Sequence, residues 1–291
     1  MVTTPVKVTI EDYAAASAIT WCPGCGNFGI LRAMRQALVT LQLAPHQVLM
    51  VSGIGQAGKF PHYTRCHVLN ELHGRPIPAA IAAKIVNPEL TVIAISGDGD
   101  GYGEGGNHFI NAVNRNVDMT YMVHNNQVYG LTKGQASPTS DLGFTTKLNP
   151  DGAWVPLRPL AIAVALDGSF VARGFAGDPE HLAKLIQQGI QHKGFALIEV
   201  LQPCPSFNHR NTFQWYTQRV YKLEEETGYD PGDRVAALNK ALEWGDRIPI
   251  GVIYRKERPT FEEYIGVAGK TPLVKQKIDP LQFAELINEF R

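Results

Sequence analysis

Short apolar runs separated by helix-like stretches make up the first two thirds of the chain. An apolar run at residues 92–95 stops at the acidic glycine turn Gly97-Asp98-Gly99-Asp100, and a helical stretch follows. A second apolar run at residues 119–123 ends in two asparagines. This succession predicts a strand, a crossover helix and a second strand parallel to the first. We expect the polar residues at the two strand ends to face one crevice, because ligands of open parallel sheets bind there.

The same patterning extends over the rest of the chain. Apolar spacing predicts strands at 47–55, 169–174, 195–201 and 248–254, and helices at 28–43, 76–86, 160–166, 179–192 and 279–291. The polar stretches 55–75 and 128–139 are predicted to be loops. We therefore expect a doubly wound α/β fold with a mostly parallel sheet over residues 1–210. Residues 211–291 are expected to form a C-terminal extension that packs on this domain or on a partner.

Asp98 and Asn126 are the candidate metal ligands at these strand ends. A carboxylate and an amide oxygen suit a hard cation such as Mg2+, which takes its other ligands from phosphate and water. The adjacent glycines let backbone N–H groups approach a diphosphate. The alternative is structural, since both Gly-Asp-Gly and Asn-Asn are common in turns.

Composition excludes several classes of function. The chain has 291 residues, with 27 basic and 27 acidic side chains, which gives no electrostatic case for binding nucleic acid or an anionic membrane. No apolar run approaches the roughly 20 residues that span a bilayer. The N-terminal residues lack the apolar core of a signal peptide, so a cytoplasmic location is expected. Four cysteines in such a chain indicate metal ligands or reactive thiols.

The segment Trp21-Cys22-Pro23-Gly24-Cys25-Gly26 places two sulfurs on one turn. This arrangement fits an iron–sulfur centre, a zinc knuckle or a redox dithiol. A zinc ribbon needs a second CxxC, and the sequence has none. Cys204 follows the predicted strand 195–201, although a single cysteine is more often a small buried apolar residue.

Two basic residues lie close to the predicted crevice. His73 precedes the predicted helix 76–86, whose N-terminus would favour phosphate. Lys133 follows the second strand of the central unit, where it could meet an anion. Their structural alternatives are a histidine that bonds within its loop and a solvated surface lysine.

Several motifs together resemble the beta subunits of 2-oxoacid:ferredoxin oxidoreductases, most closely the two-subunit enzymes that act on 2-oxoglutarate. The resemblance covers roughly residues 15–215, and its motifs, in order, are WCPGCG, SGIG-x-x-GK, HGR, GDGD, NN, GLTKGQASPT and EVLQPCPSFN. It implies the fold of a thiamine-diphosphate-binding domain that also carries one [4Fe-4S] cluster.

The resemblance also implies roles for individual residues. Mg2+ would be held by Asp98, Asn126 and the backbone carbonyl of Val128. The residues implied around thiamine diphosphate are His73, Gly97, Asp98, Gly99, Asp100, Asn126, Val128, Gly130, Leu131 and Thr132. Lys59 and Lys133 match basic residues that handle coenzyme A and the 2-oxoacid.

The implied cluster ligands include one departure from the family. Cys22, Cys25 and Cys204 match three of the four cysteines. The fourth follows Gly-Ile-Gly in the family, where this chain has Gln56. We predict that Cys66, in the same loop, supplies the fourth thiolate. The alternatives are a non-cysteine ligand at Gln56 and an open iron site.

The implied reaction is the coenzyme A-dependent oxidative decarboxylation of a 2-oxoacid, with electrons passing singly through the cluster to ferredoxin. The glutamate that activates thiamine comes from another domain in this family, so the chain is expected to need an alpha subunit in an (αβ)2 assembly. Alternatives are a pyruvate-specific beta subunit, a non-redox thiamine-dependent decarboxylase subunit and a zinc-bearing scaffold without activity.

Overall fold

The structure, a computed structural model, describes residues 7–277 and 280–290. Its strands are β1 (Val48–Ser52), β2 (His67–Asn70), β3 (Thr91–Gly97), β4 (Met119–Asn125), β5 (Val128–Tyr129), β6 (Gln135–Ala136), β7 (Phe170–Phe175), β8 (Phe195–Leu201), β9 (Val220–Lys222) and β10 (Ile248–Arg255). Its helices are α1 (Asn27–Thr40), α2 (Pro76–Val86), α3 (Gly106–Arg115), α4 (Pro159–Ala165), α5 (Pro179–Gln191), α6 (Phe213–Thr217), α7 (Arg234–Leu242), α8 (Phe261–Tyr264) and α9 (Pro280–Glu289).

An eight-stranded sheet runs in the order β2-β1-β3-β4-β8-β7-β10-β9. Its neighbouring strands are parallel except for β7 and β10, which pair antiparallel. Strands β5 and β6 form a separate antiparallel hairpin. The predicted α/β fold with a mostly parallel sheet is confirmed.

Helices cover both faces of this sheet, as a doubly wound fold requires. One core, on the side of α1 and α5, includes Ile30, Met34 and Leu182. The other, on the side of α2, α3, α4 and α7, includes Phe109 and Leu160. Strands β4 and β8 are buried along their whole length. That burial explains their continuous apolar runs, because a central parallel strand has no solvent face.

The predicted helices are all observed, and local chemistry accounts for their starts. Helices α2, α4 and α5 begin at a proline. Proline fits the first helical turn because backbone N–H groups there have no acceptor within the helix, so its missing N–H costs no hydrogen bond. The carboxylate of Asp178 accepts a hydrogen bond from the His181 amide and caps α5. The ends of the predicted helix 279–291, residues 279 and 291, lie outside the described residues.

Two features of the sheet go beyond the predicted arrangement. Strand β2 lies within the stretch 55–75 that was predicted to be a loop, and all four of its residues are exposed. An edge strand with no buried face carries no apolar alternation for a prediction to detect. Strands β9 and β10, from the region 211–291, extend the main sheet through β7. The C-terminal region is therefore part of the same sheet.

Strands β1, β3, β4 and β8 lie side by side and point in the same direction. Their carboxyl ends therefore meet at one edge of the sheet, which brings together the segments after Ser52, Gly97, Asn125 and Leu201. No helix within 7–277 and 280–290 is long and apolar enough to cross a membrane.

Candidate functional site

A cavity opens at the carboxyl ends of β1, β3 and β4. All ten residues predicted around the cofactor line it, together with Tyr129 and the segment after β1. The predicted ten are His73, Gly97, Asp98, Gly99, Asp100, Asn126, Val128, Gly130, Leu131 and Thr132. Residues from three strand ends and the loop before α2 thus converge on one space.

Asp98 is the buried carboxylate of this cavity, with 1% of its surface exposed. One oxygen, Oδ2, accepts hydrogen bonds from the hydroxyls of Ser137 and Thr139, the latter at 2.6 Å. Burial raises the pKa of Asp98 to about 6, although these hydrogen bonds oppose the shift. A carboxylate held in this way is oriented before any ligand arrives and gains from a nearby cation.

The turn after β4 fixes the second predicted metal ligand. Gln127 adopts a left-handed backbone conformation with φ of 59°, which reverses the chain directly after Asn126. The amide of Val128 donates to Asn126 Oδ1 at 3.0 Å, and Asn208 Nδ2 donates to the Asn126 carbonyl at 3.1 Å. Gln127 Nε2 in turn donates to the Thr139 carbonyl at 2.8 Å, which ties this turn to the segment that holds Asp98.

Asp100 joins the loops around the cavity. Its Oδ1 accepts hydrogen bonds from the Gly74 amide at 2.7 Å and the Ile54 amide at 3.3 Å. His73 Nδ1 lies 3.6 Å from the same oxygen. This carboxylate therefore fastens the loop after β1 and the loop before α2 to the end of β3, a positioning role within the lining.

Gly99 allows an aromatic side chain to lie against the acidic turn. A Cβ atom at this position would overlap the ring of Tyr129. The Tyr129 hydroxyl donates to the Gly99 carbonyl at 3.3 Å, and its ring stacks on His73 with a centroid separation of 6.2 Å. The glycine is needed here for this close approach.

A second cavity, the cysteine cavity, adjoins the first. Cys22, Cys25 and Cys204 line it, together with Gln56, Asn126 and Gly130, which also line the first cavity. The structure therefore brings three of the four predicted cluster cysteines together beside the predicted cofactor site.

Backbone contacts hold the two cysteine loops against each other. The Gly26 amide donates to the Pro203 carbonyl at 3.1 Å, and a Cβ atom at Gly26 would lie 2.9 Å from Gln202 Cγ. Gln202 Nε2 is 3.4 Å from Cys25 Sγ. Burial raises the pKa of the Cys25 thiol to about 11 and also raises the pKa of Cys204. A cation at these sulfurs would reverse that shift, because it favours the thiolate.

Cys66 does not reach this cavity, which corrects the prediction that it completes the ligand set. It lies directly before β2 and lines a different cavity with Pro45 and His46, which precede β1. Because β1 and β2 are parallel, this position is at the amino end of the strands, opposite the site. Five residues of β1 separate the two edges by about 15 Å.

The two predicted lysines occupy different surroundings. Lys133 lines a third, open cavity with Lys147, His209 and Arg210, and this basic cavity shares Ser206 and Phe207 with the cysteine cavity. Lys59 is half-buried at the start of the short helical turn Phe60–Tyr63 and is not part of the lining of these cavities.

Comparison with known proteins identifies the family of this architecture. Residues 50–200 match the thiamine pyrophosphate enzyme, C-terminal TPP binding domain. The chain is 49% identical over 258 residues to the 2-oxoacid:ferredoxin oxidoreductase subunit beta of Saccharolobus solfataricus, an alignment that covers 84% of this chain and 85% of the relative. The chain belongs to the beta subunits of the 2-oxoacid:ferredoxin oxidoreductases. The resemblance seen in the motifs is confirmed.

Other relatives extend the match over most of the chain. Residues 204–270 match the C-terminal part of the pyruvate ferredoxin oxidoreductase beta subunit. A 2-oxoglutarate synthase subunit of Methanocaldococcus jannaschii is 35% identical over 249 residues, 84% of this chain and 90% of the relative. A solved 2-oxoglutarate:ferredoxin oxidoreductase of Magnetococcus marinus, with 2-oxoglutarate, coenzyme A and succinyl-CoA bound, superposes with a TM-score of 0.85 at 33% identity, covering 93% of this chain and 95% of that one.

Several residues that shape this beta-subunit site were not predicted. Ser137 and Thr139 lie in the motif GLTKGQASPT, where neither residue was predicted to have a role, and their hydroxyls orient Asp98. Tyr129, Gln127 and Asn208 act through the turn after β4. A run of hydroxyl residues shortly after a predicted metal ligand was the one available signal.

Proposed function

We propose that this chain supplies the cofactor half of an enzyme that oxidatively decarboxylates 2-oxoglutarate or a related 2-oxoacid to an acyl-CoA. The observation that carries the proposal is the adjacency of two cavities, one lined by Asp98 and Asn126 and the other by three cysteines, with three residues common to both. Thiamine diphosphate bound in the first would supply the electron sink for loss of CO2.

Asp98, Asn126 and the Val128 carbonyl are the proposed Mg2+ ligands. The hydroxyls of Ser137 and Thr139 hold Asp98, and the left-handed residue Gln127 turns the chain between Asn126 and Val128. An all-oxygen ligand set with a buried carboxylate suits Mg2+, whose remaining positions diphosphate and water would take. His73, Gly97, Gly99, Gly130, Leu131 and Thr132 are the proposed diphosphate contacts, with Asp100 positioning the loops.

Cys22, Cys25 and Cys204 are the proposed ligands of an iron–sulfur cluster. Each thiolate of a [4Fe-4S] cubane binds a different iron, so the sulfurs surround a space instead of converging on one point. The three thiols come from two separate loops and adjoin the first cavity, and this arrangement supports an iron–sulfur cluster that could take electrons from a cofactor there.

Lys133 is proposed to meet the phosphates of coenzyme A at the basic cavity. Four basic side chains line this cavity, and it shares the lining residues Ser206 and Phe207 with the cysteine cavity. A polyanion bound there would approach the reaction site from the open side. Lys59, which the resemblance assigns to the same task, is proposed to act only with a partner subunit in place.

The glutamate that activates thiamine is proposed to come from an alpha subunit. Within the described lining, the carboxylates of the first cavity, which we call the thiamine cavity, are Asp98 and Asp100, both from the acidic turn and both engaged in hydrogen bonds. We therefore propose that neither of them serves as the activating carboxylate. We propose an (αβ)2 assembly in the cytoplasm, with ferredoxin as the electron acceptor.

The test is to copurify this chain with its alpha subunit and assay coenzyme A-dependent ferredoxin reduction against a panel of 2-oxoacids. We expect turnover by the complex, no turnover by either chain alone, and the highest kcat/KM with 2-oxoglutarate. The match of residues 204–270 to the pyruvate enzymes makes pyruvate the second candidate in this panel. Release of CO2 without ferredoxin reduction would contradict the proposal and indicate a non-redox decarboxylase.

A further inference from the structure

The cysteine cavity offers three thiols where a [4Fe-4S] cluster usually has four. Cys22, Cys25 and Cys204 line it, and the remaining lining includes the side chain of Gln56. The inference about the ligands of this cluster rests on the proposed function, because the cluster itself is part of that proposal.

The only cysteine outside this cavity cannot be recruited by a small movement. Cys66 lies before β2, at the amino end of the parallel strands. Its side chain packs against the buried core on the α1 side of the sheet. To reach the cluster it would have to leave this core and cross about 15 Å along β1.

Gln56 is held at the boundary between the two cavities. Its backbone carbonyl accepts a hydrogen bond from Trp21 Nε1 at 2.9 Å, which ties the loop after β1 to the residue before Cys22. Gln56 lines both cavities, and its Cγ would lie 3.8 Å from a Cβ atom at Gly130, which also lines both. Gln56 therefore lies where the cysteine cavity adjoins the first cavity.

We infer that the cluster of this protein has three thiolate ligands, from Cys22, Cys25 and Cys204. Its fourth iron lies beside Gln56 and has no thiolate ligand. The amide of Gln56 is neutral and a much weaker ligand for iron than a thiolate. The iron at this corner is consequently chemically distinct from the other three and the easiest to remove.

This ligand set has a definite oxidative consequence. An iron that lacks a thiolate leaves when one electron is withdrawn: [4Fe-4S]2+ gives [3Fe-4S]+, Fe2+ and one electron, and ferricyanide takes the electron. The three cysteines retain the three-iron product, and four inorganic sulfides stay with it. A cluster with four thiolates holds its fourth iron under the same mild oxidation.

The experiment uses the copurified complex of alpha and beta subunits, prepared without oxygen, as wild type and as the variants Gln56→Cys and Cys66→Ser. Iron and acid-labile sulfide are measured before and after titration with ferricyanide, and EPR spectra are recorded at each step. We expect wild type and Cys66→Ser to lose roughly one iron in four and to give a three-iron EPR signal. Gln56→Cys is expected to keep all its iron, and ferrous iron added with a reductant should restore the wild-type cluster.

Mössbauer spectroscopy tests the ligand set without any variant. The spectrum of the untreated wild type should contain one iron site distinct from the other three. Four equivalent thiolate-bound sites, or loss of the cluster in Cys66→Ser with the protein still folded, would overturn the three-thiolate assignment alone. A complex without iron or sulfide would overturn the proposed function itself, and this ligand assignment with it.

Discussion

At the scale of single residues, the site depends on oriented, buried polar groups, and their burial lowers the stability of the cofactor-free protein. Asp98 has 1% of its surface exposed, and burial raises its pKa to about 6 from an ordinary 3.8. Its ionised form is therefore destabilised until a cation arrives. Ser137 and Thr139 orient the carboxylate, yet they do not remove this cost. Under the proposed function, the protein keeps this destabilising charge because Asp98 would bind Mg2+.

The substitution Asp98→Asn separates stability from function. In the cofactor-free protein, the native state holds a proton between about pH 4 and 6 that the unfolded chain has released. The free energy of unfolding therefore falls as pH rises through this window. The amide of the variant is neutral, so its free energy of unfolding should lack this decrease with rising pH. At pH 7.5 it should therefore exceed the wild-type value by on the order of 2–3 kcal/mol.

Urea unfolding of the cofactor-free wild type and Asp98→Asn at several pH values measures this difference. The same variant should lose binding of Mg2+ and thiamine diphosphate in calorimetry, whereas wild-type affinity should weaken as pH drops below about 6. Thr139→Val is the matched control, since it keeps the carboxylate and removes one of its hydrogen bonds. An Asp98→Asn variant that is less stable than wild type at pH 7.5 would contradict the account.

Lys133 is the residue to test at the basic cavity. Lys133→Gln removes a charge from a cavity that also contains Lys147 and Arg210. An exposed ion pair contributes about 1 kcal/mol, so KM for coenzyme A should rise about three- to tenfold while KM for the 2-oxoacid stays unchanged. Lys184→Gln, at an exposed position of α5, is the matched control. An equal rise in both KM values would argue against phosphate binding at this cavity.

At the scale of elements, the sequence predicted the buried strands and missed an exposed strand at the edge of the sheet. Strands β3, β4 and β8 are buried and were predicted from their apolar runs. Strand β2 is held by backbone pairing to β1 alone and left no apolar signal. Cys66 was misplaced for the same reason, because without β2 nothing showed that the chain returns to the opposite edge of the sheet.

The strands contributed by residues 211–291 decide whether residues 1–210 can fold alone. Strand β10 pairs with β7, and Ile248 and Ile250 pack with Phe175, Leu201 and Tyr216 in a buried cluster. The buried Arg173 pairs with Glu199 at 3.1 Å and also lies over the ring of Trp244. Removal of this region would expose both an apolar patch and the edge of β7.

We therefore expect a chain truncated after residue 210 to aggregate or to give no cooperative unfolding transition. A chain truncated after residue 277 lacks only α9 and the residues beside it, and Phe283 and Phe290 of that region are 64% and 89% exposed. This control should keep the melting temperature of the full chain within a few degrees. Circular dichroism and size-exclusion chromatography distinguish the outcomes. A soluble, cooperatively folded 1–210 fragment would restore the predicted domain boundary.

At the scale of the whole molecule, one edge of the sheet gathers the chemistry of the chain. Four neighbouring strands end there, and the segments that follow them line the thiamine cavity and the cysteine cavity side by side. The motifs in the sequence predicted this convergence because the carboxyl ends of parallel strands share an edge. They could not show that Cys66 lies at the opposite edge, since that depends on the direction of β2.

We propose that electrons released by decarboxylation in the thiamine cavity enter a cluster in the adjacent cysteine cavity. The most direct measurement mixes the copurified complex with 2-oxoglutarate in the absence of ferredoxin and follows the cluster by freeze-quench EPR while CO2 is collected. We predict reduction of the cluster at the rate of CO2 release, and no reduction in Asp98→Asn. Release of CO2 with the cluster left oxidised would contradict the account.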